Sequence, residues 1–388
     1  MSDRVGLSPI RRREFLKSCA LCATGMAFGS GVLRAETGGT PRQSGQSSQK
    51  PGKWMKEAQF YKSSGANLTC VKCPNFCVLG PGEEGKCRNR VNLEGKLYSN
   101  AYGNPCALHI DPIEKKPFYH FLPTARAFSI ATAGCNLRCL NCQNWEISQV
   151  RPGDTQNYDL PPERVVEECV DGRCETIAYT YSEPTTFYEY VLDTAALARK
   201  RGIRNLLKSN GYINEEPLRK LCAVLDAANI DLKSYDDAVY RKLSSARRDP
   251  VLKTLRVLRE ERVWLEVTNL VIPGWTDDLE TIKRMADWYC SAGLAEAPLH
   301  FSRFSPLYKL SHLPATPVSR LEEARETALA AGVKYVYIGN VPGHQSENTY
   351  CSKCGRVVIR RRGYVISERH IEKGRCGYCS ERVAGVWA

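Results

Sequence analysis

The feature that most restricts this chain's fold is an alternation. From about residue 127 onward, short β-like runs trade places with helix-periodic stretches. The β-like runs are AFSIATAG, TIAYTYS, RNLLKSN, NIDLKS, VWLEVTNLVI, PLHFSRF and KYVYIGNV. Between them stand FYEYVLDTAALARKRG, EEPLRKLCAVLDAA, DDLETIKRMADWYCSAG and SRLEEARETALAAG, apolar at helical spacing. FYEYVLDTAALARKRG and SRLEEARETALAAG reach glycines, Gly202 and Gly332, where a helix commonly ends in a left-handed residue. Strand and helix repeated in this way predict an α/β fold with parallel neighbours and right-handed crossovers. The stretch 123–342 is short for an eight-unit barrel, which takes about 250 residues. A partial (β/α)6 barrel or an open doubly wound sheet is therefore expected, and both bind ligands at the C-terminal ends of the strands.

Polar residues gather at those ends. Cys135, Cys139 and Cys142 follow the first run, and Ser182, Glu183, Pro184 and Thr185 follow the second. Ser209, Asn210 and Gly211 follow the third. Asp231 and Lys233, two apart and so on one face, lie on the fourth. Asn269 with Pro273 and Gly274 closes the fifth, and Arg303 and Ser305 end the sixth. Any one of these could be a turn signal or a solvated ion pair. Six in succession, each at the same end of its strand, point to a binding site.

The stretch GCNLRCLNCQNW spaces its thiols C-x3-C-x2-C and supplies no fourth. Zinc and iron–sulfur sites normally take four protein ligands. A four-iron cluster held by three thiolates keeps one iron open to chelate a small molecule, and S-adenosylmethionine is the best-known molecule in that role. The motif resembles the radical S-adenosylmethionine superfamily. That resemblance implies a partial barrel of radical SAM type, a [4Fe-4S] cluster on Cys135, Cys139 and Cys142, and S-adenosylmethionine as cofactor. It implies contacts to the cofactor from Glu183, in a YSEPT segment matching a Gly-Gly-Glu-Pro motif, and from Ser209 and Asn210 near the ribose. It also implies roles for Asp231 and Lys233, matching an Asp-x-Lys pair of pyruvate formate-lyase-activating enzymes, at the methionine carboxylate and amine. Ser305 stands where those enzymes tend to carry a histidine. The implied reaction is reductive cleavage to methionine and a 5′-deoxyadenosyl radical, which abstracts hydrogen from a substrate. A low-potential electron donor is required, and the substrate class, whether protein, RNA or small molecule, stays open.

Further motifs narrow the resemblance. DPIEKKPFYHFL (111–122), Gln143-Asn144-Trp145 after the third cysteine, HFSRFSPLYKL, YIGNVPGH with NTYCSKCG, and GVW near the end are similar to the radical enzyme of the AmmeMemoRadiSam system. The resemblance spans roughly residues 57–388. A glycyl-radical activase and an iron–sulfur electron-transfer protein are the alternatives. A zinc-ribbon nucleic-acid binder would leave the central thiols unexplained.

Most of the 18 cysteines fall in tight clusters, which suits metal binding better than a disulfide framework. Cys351, Cys354, Cys376 and Cys379 have the spacing of a zinc ribbon, with zinc first and an iron or auxiliary cluster second. The basic segment Arg360–Arg362 could offset that site's charge, contact a substrate or nucleic acid, or stand in solvent. Cys70, Cys73, Cys77 and Cys87 suit one four-thiolate site, zinc or a second cluster, with disulfides as the alternative. Cys106, Cys169, Cys174, Cys222 and Cys290 read as structural thiols, and no histidine is assigned to metal.

Residues 11–17, RRREFLK, followed by an apolar, uncharged run too short to span a membrane, resemble a twin-arginine export signal. The expected organisation is a signal at 1–35, a polar linker at 36–56, a Cys-rich module at 57–122, the barrel at 123–342 and a ribbon at 343–388. Export through the twin-arginine translocase is expected, with a cytoplasmic protein as the alternative. Residues 1–35 carry six basic and two acidic side chains, leaving +9 of the formal +13 for the rest. That excess permits an acidic partner without demanding one.

Overall fold

The seven β-like runs all become strands of one sheet. In the computed structural model, which describes residues 51–388, the sheet has eight strands in sequential order. They are β1 (Ala107–Pro112), β2 (Arg126–Ala131), β3 (Thr176–Tyr179), β4 (Arg204–Ser209), β5 (Ala227–Asp231), β6 (Trp264–Val271), β7 (Leu299–Arg303) and β8 (Val336–Gly339). β2 to β8 run parallel, and β1 pairs antiparallel with β2. The connections carry α1 (Pro162–Asp171), α2 (Tyr188–Lys200), α3 (Glu215–Cys222), α4 (Asp237–Ser244), α5 (Arg248–Glu260), α6 (Leu279–Ser291) and α7 (Val318–Ala330). This gives six strand–helix units and a closing strand, the expected radical SAM partial barrel. The strands are buried almost throughout, as a parallel sheet covered by helices requires.

Helix ends follow their sequence signals. Gly202 and Gly332 take φ of +71° and +102° one residue past the caps of α2 and α7. Asp236 and Asp278 cap α4 and α6 by accepting backbone N–H bonds. The expected EEPLRKLCAVLDAA helix stops early, at Cys222.

Boundaries differ from expectation at the N-terminal side. Residues 107–122 do not belong to a separate Cys-rich module. β1 is an edge strand of the main sheet, and the segment after it plugs the sheet's inner face. Phe118, Phe121 and Ile113 pack on Ala127, Ala178, Leu206 and Ala227, one small or aliphatic residue from each of β2 to β5. Small strand residues leave the room that two phenylalanines fill. The remaining N-terminal part forms two three-stranded antiparallel sheets, Lys56–Glu57 with Arg90–Leu93 and Lys96–Ser99, and Tyr61–Ser64 with Asn67–Cys70 and Val78–Leu79. A bidentate, fully buried ion pair joins it to α2: Arg90 donates to Glu189 at 2.7 and 3.0 Å.

The C-terminal ribbon contributes strands Thr349–Tyr350, Val357–Arg362 and Val365–Arg369 and the hairpin Ile371–Glu372 with Arg375–Cys376. It sits on a second plug. Glu266 accepts the backbone N–H groups of Tyr119 and His120 and pairs with His300 at 2.7 Å. Arg361 is not free to balance thiolates. It is buried, donates to the Tyr119 carbonyl and to Thr349 Oγ1 at 2.7 Å, and lies over the Tyr119 ring. Arg360 pairs with Glu368. Among the described residues no helix is long and apolar enough to cross a membrane. The twin-arginine stretch lies outside the described residues.

Candidate active site

The loop after β2 carries the three thiols. Gly134 opens it at φ +100°, and a Cβ there would stand 2.6 Å from the Cys87 carbonyl oxygen, so only glycine fits. The loop is tied from every side. Asn89 donates to the Ala133 carbonyl at 2.8 Å, and Asn75 to that of Asn136 at 2.9 Å. Leu140 N–H bonds the Leu243 carbonyl at 2.8 Å, and Arg138 N–H that of Ser244 at 3.1 Å. Arg138's guanidinium returns to the carbonyls of Cys135, Leu137 and Lys86. Lys309 N–H reaches the Leu140 carbonyl, and Tyr308 stacks on Trp145 with centroids 5.3 Å apart. The QNW and SPLYKL motifs therefore meet over the loop.

Cys139 is buried, and Cys135 and Cys142 are half-buried. Burial pushes the Cys135 thiol well up, and the Glu183 charge adds to this. Two donors face its sulfur: Leu137 N–H at 3.4 Å and Asn210 Nδ2 at 3.7 Å. Asn210 also donates to Asn136 Oδ1 at 2.9 Å, and Asn136 in turn to the Tyr212 carbonyl at 2.8 Å.

Glu183 is buried, and its carboxylate is already surrounded. It accepts from Ser209 Oγ at 2.7 Å, from Asn210 N–H at 2.8 Å and from Thr185 N–H at 3.0 Å. Burial raises its pKa against these bonds. Its side chain thus fixes the ends of β3 and β4 to one another. Asp231 and Lys233 share one face as expected, with Lys233 donating to Asp231 at 2.7 Å. They are not a solvated pair. Lys208 on β4 completes a trio by bonding Asp231, Asn229 and Thr268. Burial would raise Asp231, but the two lysines hold it down at about 2. Burial would lower Lys233, but Asp231, and then Cys139, outweigh it and raise it. Burial lowers Lys208.

Other expected residues lie elsewhere. Asn269 is buried and donates to the Leu232 carbonyl. Arg303 donates to the Thr316 carbonyl, and Ser305 is exposed. Sequence reasoning missed Lys208, Asn136 and the group Asp111, Lys116 and Tyr181. Lys116 and the Tyr181 hydroxyl both bond Asp111, and Tyr181 holds a left-handed φ of +63° at the end of β3. A non-glycine residue in that conformation marks strain of the kind that collects at functional sites.

In the ribbon, Cys351, Cys354, Cys376 and Cys379 bring their sulfurs within 4.8 Å of one another. This fits a zinc-ribbon-like module. Among the described residues no other group of three or more acidic, histidine or cysteine ligands converges so tightly.

The sequence profile of the Radical SAM superfamily matches residues 129–287, from β2 into α6. The uncharacterized protein MJ0808 of Methanocaldococcus jannaschii is 45% identical over 334 residues, which is 85% of this chain and 99% of that protein. The chain belongs to the radical SAM superfamily. Pyruvate formate-lyase 1-activating enzyme of Escherichia coli is similar to it as well, 25% identical over 167 residues, 42% of this chain and 68% of that enzyme. A solved structure of Streptococcus suis SuiB bound to S-adenosylmethionine covers 62% of this chain and 56% of its own at 12% identity, with a TM-score of 0.45. Membership makes the protein an enzyme and implies an iron–sulfur cluster and S-adenosylmethionine.

Proposed function

We propose that Cys135, Cys139 and Cys142 hold the [4Fe-4S] cluster and that Glu183, Ser209, Asn210, Asp231 and Lys233 form the S-adenosylmethionine side of the site. The donor set fits. Three thiols share one backbone loop, two N–H donors face the Cys135 sulfur, and the sulfurs do not close around a single ion. When bound, the cluster supplies the electron that splits a carbon–sulfur bond of S-adenosylmethionine, leaving a primary carbon radical that removes hydrogen from an unactivated C–H bond. The chain's own residues orient and neutralise. Lys208, Asp231 and Lys233 sum to one positive charge in the field of the thiol loop, which suits an amino-acid end with its carboxylate toward lysine and its ammonium toward aspartate. Glu183 positions Ser209 and Asn210 and acts through them. The observation that carries this reading is the contact of Asn210 with both Glu183 and Cys135, which joins the cofactor side to the cluster side.

The second reading, a glycyl-radical activase, is favoured by the likeness to pyruvate formate-lyase-activating enzymes. The motifs at 111–122, 143–145 and 300–310 support the AmmeMemoRadiSam reading instead, in which the substrate is a protein, RNA or small molecule. An external low-potential donor completes the reaction. The C-terminal quartet takes zinc. The RRREFLK leader supports export by the twin-arginine route after cofactor loading; a reporter fused to residues 1–40 should be exported, and Arg12→Lys with Arg13→Lys should stop it.

The decisive experiment is anaerobic reconstitution followed by S-adenosylmethionine and dithionite. 5′-Deoxyadenosine should form, and the reduced cluster's spectrum should change on adding the cofactor. Absence of both rejects the reading.

A further inference from the structure

We propose that Cys70, Cys73, Cys77 and Cys87 hold a second iron–sulfur cluster, seated against the central cysteine loop as its point of electron entry. The electron-entry role rests on the function proposed above; the cluster itself does not.

The fold gathers these four thiols around one region. Cys70 N–H bonds the Cys77 carbonyl at 2.9 Å, and a turn between them closes with Phe76 N–H on the Cys73 carbonyl at 3.2 Å. Cys87 lies in a second turn, closed by Gly85 N–H on the Arg90 carbonyl at 2.8 Å. Cys77 Sγ stands 3.8 Å from where a Cβ on Gly85 would sit. Two bulky residues beside the thiols adopt left-handed backbone, Phe76 at +44° and Arg88 at +66°. In the C-terminal quartet the residues that follow Cys354 and Cys379, Gly355 and Ser380, do the same at +69° and +61°. Arg88 after Cys87 repeats that placement at a cost glycine would avoid.

Spacing separates a cluster from a single ion. The C-terminal sulfurs pair at 3.6 and 3.8 Å, the edge of a tetrahedron with metal–sulfur bonds of about 2.3 Å. Among the described residues neither the four N-terminal thiols nor the central three draw in to a group that tight. Thiolates that bind different irons of one cluster must stand wider than thiolates on one ion.

Charge points the same way. Arg90 and Lys72 are each 1% exposed; among the described residues Glu189 pairs with Arg90, and no carboxylate makes an ion pair with Lys72. Lys72's ammonium makes one long bond, 3.4 Å to the Thr186 carbonyl. A buried cation without a counter-charge is costly. Four thiolates on an iron–sulfur core carry net negative charge. Arg90 lies in the field of Cys70 and Cys87, and Lys72 in that of Cys73.

The two sites touch through backbone: the Cys87 carbonyl fills the space a Gly134 side chain would need, and Arg88 lies in the field of both Cys87 and Cys135. One electron arrives from a low-potential one-electron carrier and one leaves for the central site, with no bond made or broken.

The test uses the full chain as Cys135→Ala, Cys139→Ala, Cys142→Ala, purified and reconstituted with iron and sulfide under argon. It should hold about four irons, against about eight in wild type, with a dithionite-reducible paramagnetic signal that ignores S-adenosylmethionine. Adding Cys73→Ser and Cys87→Ser should remove that iron while the C-terminal zinc stays, which also reports that the chain has folded. Zinc in two equivalents without a reducible signal, loss of thiols in pairs to disulfides, or a folded triple variant without iron would each overturn the cluster. For the entry role, Cys73→Ser with Cys87→Ser in the wild-type background should cleave S-adenosylmethionine with dithionite but lose about tenfold or more with a ferredoxin-type donor. Equal loss with both reductants overturns the relay and leaves the central reading standing.

Discussion

The central cysteine loop and the C-terminal ribbon both collect thiols from a short stretch of chain, and their supports differ. The ribbon's four sulfurs converge on one point, with Cys351 and Cys376 buried, Cys379 half-buried and Cys354 exposed. The central three do not converge, and their loop is bound by the N-terminal sheets, by the end of α4 and by the 305–310 segment. One arrangement closes a site upon its ligand; the other holds ligands apart and keeps a face open. Removing a ligand should therefore cost stability in the first and chemistry in the second.

The largest expected effect is Cys139→Ala, which should abolish 5′-deoxyadenosine formation while leaving the melting temperature near wild type. A variant that precipitates yet keeps its chemistry would reverse the comparison. Next, Cys376→Ala or prolonged chelation should remove zinc and lower the melting temperature by many degrees, with turnover in the surviving fraction retained. Gly134→Ala follows: the new methyl meets the Cys87 carbonyl, so iron content should fall and stability should drop by about 1–3 kcal/mol, read by chemical denaturation. The smallest effect concerns acid. Burial holds His120 at about 4, and Glu266 is held down despite burial by His300. The unfolded chain protonates His120 first, near 6.5, so the plug's contribution is full above that pH and fades as pH falls toward 4. Loss of the Glu266 contribution as pH falls through its own range adds to this. Thermal melts between pH 7.5 and 5 should show the decline, and His120→Asn should melt lower at pH 7.5 with a shallower slope.

Much of this was legible beforehand because the repeating unit is local. Each strand was marked by a short apolar run, and each strand end by its polar cluster. Gly202 and Gly332 marked helix ends through a conformation that glycine favours. What the sequence hid depends on distant partners. Lys208 reads as one charge in RNLLKSN, and its role appears only when β5 and β6 bring Asp231, Asn229 and Thr268 beside it. A charge at inward parity on a buried strand was the available signal, and Glu266 in VWLEVTNLVI gave the same one. Glu183 was found, but its crowding by Ser209 and Asn210 comes from β4. Arg361 looked like a member of a surface run and is a buried tie to Tyr119. β1 was missed because its alternation, Leu108-His109-Ile110-Asp111, is only four residues long and precedes the repeat.

Residues 384–386 make bonds with residues 120–122. Leu122 N–H bonds the Val386 carbonyl at 2.8 Å, Val386 N–H returns to the His120 carbonyl, and His120 Nδ1 meets the Ala384 carbonyl at 2.6 Å. The His120–Ala384 contact joins residues 264 apart in sequence, so the plug below the sheet closes through long-range contacts, which form late in folding. Until residues 384–386 dock there, the segment at 120–122 lacks their backbone partners, and iron loading should follow that docking.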